Sequence, residues 1–547
     1  MSNSSAPDPD RPADQTAPPA GGAPAEKQGG LLNAIERIGN ALPDPATLFL
    51  IGCVVVFLVS WIAAAAGWES VLLNAQGERV IDARATNLVS ADGFRWLIEN
   101  LIPIFVEFRP LGLVLVAAIG IAVAEKSGLI AAALKMILFI VPRSIITPAT
   151  FFAGVMSSMA VDAGYIVLPP LAAAIYKALG RSPLVGLAAV FAGVAAGFNA
   201  NLLVTGLDPL LAGLTEEAAR ILDPSYNVNP ACNWYFMIAS TFLISLVGWG
   251  ISAWIVEPRL RNKSPEEGGP GGGGDAMDLH LSPLEKRGLA WAAVATVLTL
   301  AVIFANVVFS WGFLHDPEGS IGPGPDQRPF ATWIGAIVPL LLLLFLFPGL
   351  AYGLAVGTIR SDRDVIRMMS EYMALLANYI VLAFFAAIFV AAFEHSGLGK
   401  MMAIEGGDLL RRAGLPTWAL MIGFIFVVAF INMFVGSMSA KWAMLATVFV
   451  PMLMTIGISP ELTQVAYRIG DSTTNAISPL NPYVVVVLVF MQQYVRKAGI
   501  GTLIALMLPY AVAFLIAWTL LLVLWIQFEI PIGIDAPLTW SPEMIGS

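Results

Sequence analysis

The chain has 547 residues, of which 58% are hydrophobic and 12% charged, against about 45–50% and about 25% in an average soluble domain. With 29 basic and 38 acidic side chains, a net charge of -9 and a mean hydropathy of +0.78, it carries too little charge to cover three or four soluble domains. Composition therefore predicts an all-α polytopic membrane protein, long enough for about ten or more crossings of roughly 20 residues each.

Residues 1–30 are rich in Pro, Ala, Gly, Asp and Ser and read as a disordered tail, not a signal peptide. A first membrane half is expected over 31–256. Its first apolar run is 46–66, followed by a polar, acidic stretch over 67–100. Further runs fall at 110–124, 129–141, 146–175, 184–206 and 234–256. Residues 257–287 form a Gly/Pro linker rimmed by charge. The second half, 288–530, has runs at 288–313, 331–357, 371–393, 417–436, 442–457, 482–497 and 500–526, and residues 531–547 form a short acidic tail. Lys and Arg in the linker and at Arg360, Arg363 and Arg367 place both loops, and with them the N-terminus, on the cytoplasmic side.

Several classes are excluded on residue content. Two cysteines, Cys53 and Cys232, cannot make a disulfide framework or a Cys-rich metal centre. The three histidines are scattered. A basic stripe for nucleic acid is missing, as are a Walker A sequence and an Asp-rich or His-rich catalytic cluster. No enzyme and no resident cofactor are expected.

Some apolar runs are broken. Residues 151–170 (FFAGVMSSMAVDAGYIVLPP) and 433–454 (MFVGSMSAKWAMLATVFVPMLM) each place small residues and a charge inside apolar sequence, then a proline. A second polar patch follows each: FNANLLVTGLDPL at 198–210 and IGDSTTNAISPLNPY at 469–483. Broken backbone at membrane depth requires cover by protein or a wet cavity. Its recurrence after about 270–280 residues is the signature of an inverted-repeat secondary transporter with a midplane site.

Charges inside apolar sequence are the functional candidates. They are Asp162, Asp208, Lys441, Arg468 and Asp471. Arg468 and Asp471 are spaced to share a helix face. Either they fasten the bundle as an ion pair, or Arg468 takes a substrate carboxylate while Asp471 serves a cation. The oxygen-rich sets Asn199, Asn201, Thr205, Asp208 and Asp471, Thr474, Asn475 suit Na⁺. Lys441 either snorkels to the interface or pairs with an internal acid. Trp442 offers a stacking surface.

The stretch Gly470-Asp471-Ser472-Thr473-Thr474-Asn475-Ala476-Ile477-Ser478-Pro479-Leu480-Asn481-Pro482-Tyr483 resembles the signature of the AbgT family of p-aminobenzoyl-glutamate transporters. Ser439-Ala440-Lys441-Trp442-Ala443 and Asn201-Leu202-Leu203-Val204-Thr205-Gly206-Leu207-Asp208-Pro209 resemble it too. The resemblance implies about nine transmembrane helices and two re-entrant hairpins, near 144–178 and 417–457, in a homodimer of the bacterial inner membrane. It implies cation-coupled transport, by Na⁺ or H⁺, of p-aminobenzoyl-glutamate or of sulfonamide antimetabolites. The family's functional positions fall on Asp208, Asn432, Ser439, Trp442, Pro460, Arg468, Asp471 and Pro479, with Trp442 against the substrate's aromatic ring. The competing expectation is a Na⁺/dicarboxylate symporter, which would not require that aromatic contact. The partners expected are a small aromatic substrate and membrane lipid, not nucleic acid.

Overall fold

The computed structural model describes residues 43–73, 79–159, 161–270, 281–316, 331–481 and 483–541. The expected N-terminal tail, the centre of the linker and the last residues of the chain lie outside these segments.

The described residues are almost wholly helical. Seven helices are long and apolar enough to cross a membrane: Pro45–Ala65, Ala91–Lys126, Trp234–Arg261, Pro283–Val308, Ile337–Val356, Ala377–His395 and Ile500–Gln527. Their starts follow ordinary capping chemistry. Asp44 accepts from the Ala46 amide at 2.9 Å ahead of Pro45. Ser282 and Glu285 cap each other's amides at 3.1 and 2.7 Å. The apolar window of Pro283–Val308 is only 22% buried within the chain. Such a bare apolar face is stable only in hydrocarbon or against another protein, so the chain is a multi-pass membrane protein.

The polar stretch at 67–100 is more structured than its composition suggests. Strands Glu69–Leu73 and Arg79–Arg84 pair antiparallel, with Glu69 opposite Arg84. A helix then runs Ala91–Val106. Its Asp92, Arg95 and Glu99 cluster on one side and lower the average hydropathy, while Phe94, Leu97 and Leu101 fall on the opposite side. The helix was hidden in the sequence because one face is charged and the other apolar. The linker is correspondingly shorter than 257–287: the Trp234–Arg261 helix carries its charged end through Arg261, and the next helix begins at Pro283.

Two further helices are interrupted. Pro183–Phe191 passes through a π-helical turn, Ala192–Ala196, and then loses helical form until Leu207–Ala219. Pro460–Thr473 ends in the same way, and helix resumes at Tyr483–Gln492. The corresponding pieces are offset by about 275 residues, as an internal repeat requires. Counting each interrupted helix as one crossing brings the seven continuous spans to about nine among the described residues.

Each interrupted helix packs against both arms of a broken hairpin. Pro183–Phe191 lies against Ile146–Met156 and Leu168–Ala178, while Pro460–Thr473 lies against Thr417–Asn432 and Met438–Met454. Glycine makes both crossings close. A Cβ on Gly193 would lie 2.8 Å from the Phe151 carbonyl oxygen, and one on Gly470 would lie 2.6 Å from that of Ile425. The two halves thus use the same device at matching positions. Leu207–Ala219 of the first half packs on Met438–Met454 of the second, closing the two units around one centre.

Candidate functional site

Helix Pro460–Thr473 is buried along its whole length. Ser459 caps it, its Oγ accepting from the Leu462 amide at 3.1 Å, and Pro460 supplies the fixed φ of a first turn. Pro460 starts the helix about 12 Å along its axis from Arg468. Burial leaves the charges no water, so each takes a protein partner.

The pairing differs from the one that helical spacing suggests. Arg468 does not bind Asp471. Its Nη2 donates to Asp208 Oδ1 at 2.6 Å, across the two halves. Asp471 instead pairs with Lys441, whose Nζ lies 2.8 Å from Oδ1. Lys441 also donates to Asn432 Oδ1. The lysine does not snorkel: it is 1% exposed, and Asp471 is fully buried. The physical reason is reach. On a helix surrounded by protein, an (i, i+3) neighbour competes with charges presented from facing elements, and here those are nearer.

Asn432 Nδ2 binds the Asp471 carbonyl (2.7 Å), Thr474 Oγ1 (2.8 Å) and Asn475 Oδ1 (2.9 Å). It thereby ties the first arm of the second hairpin to the break beyond Thr473. Asn199 Nδ2 reaches Asp471 Oδ2 at 3.1 Å and Ser472 Oγ at 2.8 Å. Asn201 Nδ2 donates to Ser158 Oγ at 2.7 Å, joining the first break to the first hairpin. Thr205 donates its amide (2.6 Å) and its hydroxyl (3.0 Å) to Asp208 Oδ2. Most of the oxygens expected to serve Na⁺ are therefore occupied by protein donors. Two buried polar atoms in this network have no partner among the described residues: Asn199 Oδ1, an acceptor, and Arg468 Nε, a donor.

Trp442 is buried, with its ring stacked on Tyr467 at 4.4 Å. Its Nε1 donates to Thr215 Oγ1 at 3.0 Å. In this conformation the indole face meets Tyr467 and its N–H is spent on the first half of the protein. The side chain of Asp162 is outside the described residues; its backbone lies in the short helix Val161–Ile166.

Two cavities open beside this network. A cavity of about 160 Å³ is lined by Asp471, Asn475, Ser478, Asn481 and an aromatic pair, Tyr165 and Tyr483, stacked 4.0 Å apart. Pro479 sits in the non-helical stretch between Ser478 and Asn481, where its missing N–H helps keep helix from forming. A second cavity, of about 270 Å³, is lined by Ser158 from the first hairpin break, by Ser439 from the first turn after the second break, and by Tyr372 and Tyr379 from neighbouring helices. Met438 borders both. Sequence reading missed Tyr165, Tyr372, Tyr379 and Tyr467. The local signal for Tyr467 was its place on one face with Arg468 and Asp471; the others carried none.

Interrupted helices facing each other, hairpin breaks lining shared cavities and buried compensated charges define a secondary transporter. The sequence matches the AbgT putative transporter family over residues 30–540, and the chain belongs to that family. It is 36% identical over 512 residues to the p-aminobenzoyl-glutamate transport protein of Escherichia coli, covering 93% of this chain and 97% of that one. Among solved structures, the YdaH transporter of Alcanivorax borkumensis is 39% identical with a TM-score of 0.83, covering 90% of this chain and 100% of that chain. MtrF of Neisseria gonorrhoeae, described as illuminating a class of antimetabolite efflux pumps, is 40% identical with a TM-score of 0.83, over 93% of this chain and 100% of that chain.

Proposed function

We propose that this transporter moves p-aminobenzoyl-glutamate, or expels sulfonamide-type antimetabolites, by cation-coupled alternating access in the bacterial cytoplasmic membrane. The observation that carries the reading is the pair of cross-linked charge pairs, Arg468–Asp208 and Lys441–Asp471, beside cavities bordered by both hairpin breaks. The relatives supply the substrate class: one is a p-aminobenzoyl-glutamate transport protein, another belongs to a class of antimetabolite efflux pumps. They lend nothing to a dicarboxylate symporter.

Two of the proposed roles follow from atoms left free. Arg468 has its buried Nε available for an acceptor on the substrate, such as a glutamate carboxylate. Asn199 Oδ1 is available to a cation next to Asp471. Two basic and two acidic side chains already balance here, so a Na⁺ at Asp471 has to displace the Lys441 ammonium. Asn432, Thr474 and Asn475 would carry that movement into the second hairpin. Trp442 acts on the substrate ring only once Tyr467 has moved off its face. The N-terminus and central linker are cytoplasmic on this reading, and two copies pair through lipid-facing helices.

Proteoliposomes with an imposed Na⁺ or H⁺ gradient, in each direction, test the proposal. Labelled p-aminobenzoyl-glutamate and sulfanilamide should accumulate against their gradients only when one ion gradient is present. Movement of succinate alone would overturn the substrate class. Flux indifferent to both gradients would overturn coupling.

A further inference from the structure

The wall of the larger cavity holds a buried polar group that the network of ion pairs does not use, sealed behind the residues that face the cavity. Tyr379 lies in the first turn of the Ala377–His395 helix and lines this cavity. Its hydroxyl is buried and has no hydrogen-bond partner among the described residues. Buried phenols normally find one, because desolvating the hydroxyl without a bond is unfavourable. Val114, Ile121 and Leu210 make much of the remaining wall apolar. Ser158 is already engaged, with Asn201 at 2.7 Å and with the Val155 carbonyl at 2.9 Å. A volume of about 270 Å³ is ample for one substituted benzene ring, since an apolar cavity of about 150 Å³ accepts benzene itself.

We propose that Tyr379 is a specificity-determining residue whose hydroxyl turns out of the cavity wall and donates a hydrogen bond to the acceptor oxygen of the group para to the ring amine of the transported compound. The inference rests on the substrate class proposed above and deepens it. In p-aminobenzoyl-glutamate that oxygen is the amide carbonyl; in a sulfonamide it is a sulfonyl oxygen. Both sit at the same place relative to the aniline nitrogen. One donor to that oxygen therefore recognises both compounds without requiring the glutamate carboxylates. Arg468 then serves only the substrate that has them. This division explains how an arginine-containing site accommodates a ligand with nothing for an arginine to grip.

The test is a cycle of substitutions on protein and ligand, using purified full-length protein and equilibrium titration. The probes are p-aminobenzoyl-glutamate, sulfanilamide, 4-aminoacetophenone and 4-isopropenylaniline, the last replacing the ketone C=O by C=CH₂. Tyr379→Phe deletes only an unpartnered oxygen, so the thermal unfolding midpoint should hold. It should weaken the first three probes by roughly 3–10-fold, the worth of one hydrogen bond, and 4-isopropenylaniline by less than about 2-fold. Wild type alone gives a second measurement, independent of whether the variant folds: it should bind 4-aminoacetophenone more tightly than 4-isopropenylaniline. Equal effects on all four probes, or no effect on any, would overturn the role of Tyr379 while leaving the substrate class standing. Wild type that binds none of the four overturns both.

Discussion

Lys441 holds its ammonium 2.8 Å from Asp471 Oδ1 with both side chains sealed from water. Removing one member leaves a buried charge without compensation, which costs about 3–5 kcal/mol. Asp471→Ala should lower the thermal unfolding midpoint and abolish coupled transport. Replacing both, as Lys441→Met with Asp471→Leu, should recover much of the stability and none of the transport. A double variant as unstable as the single one would mean that the two charges do not act as a unit.

Arg468 has one task toward Asp208 and one free donor. Arg468→Lys keeps a cation for Asp208 and removes the planar fork. Uptake of p-aminobenzoyl-glutamate should fall by roughly 10-fold or more, with sulfanilamide transport affected much less. A matched loss for both compounds would assign Arg468 to the protein's own architecture.

Trp442 fills the space between the second hairpin and Tyr467. Trp442→Ala should cost about 3–5 kcal/mol through the cavity it leaves. Trp442→Phe keeps most of the ring but drops the bond to Thr215, for a loss of about 1 kcal/mol. Denaturation in detergent checks both numbers. Binding titrations on the Phe variant then isolate any contribution to the substrate ring.

Gly470 is the contact point of the helix that carries Arg468 and Asp471. A methyl group there would press on the Ile425 carbonyl and on Val428. Because backbone cannot yield as a flexible side chain does, Gly470→Ala should destabilise by about 1–3 kcal/mol. Gly193→Ala should act in the same direction, since it meets the Phe151 carbonyl. Wild-type unfolding midpoints in both variants would remove close helix approach as the reason for these glycines.

Much of this arrangement was legible in the sequence. The apolar runs declared the membrane, and Pro, Gly, Ser and Asn inside them marked the interrupted segments. Counting charges within apolar sequence isolated Asp208, Lys441, Arg468 and Asp471. Their partners were not legible. Spacing along one helix pointed Arg468 at Asp471, but the bonds are made to Asp208 and Lys441, residues brought near only by folding. Trp442 showed its size and not its neighbours. The Ala91–Val106 helix escaped because averaging hydropathy over both faces erases an amphipathic stripe. Tyr379 is one of 11 tyrosines, and nothing in its local sequence marks a hydroxyl that ends without a partner.

The phenol of Tyr467 lies 2.6 Å from the Met438 carbonyl and 3.1 Å from Asp471 Oδ1, and it has one proton for the two. Met438 is also the first residue of the helix Met438–Met454 and lines both cavities. A displacement of that hairpin tip would alter the wall of both cavities at once. A displacement away from Tyr467 would lengthen its bond to the Met438 carbonyl and leave the phenol proton to Asp471. The wall of both cavities and the hydrogen bonding of a buried ion pair thus meet at a single residue.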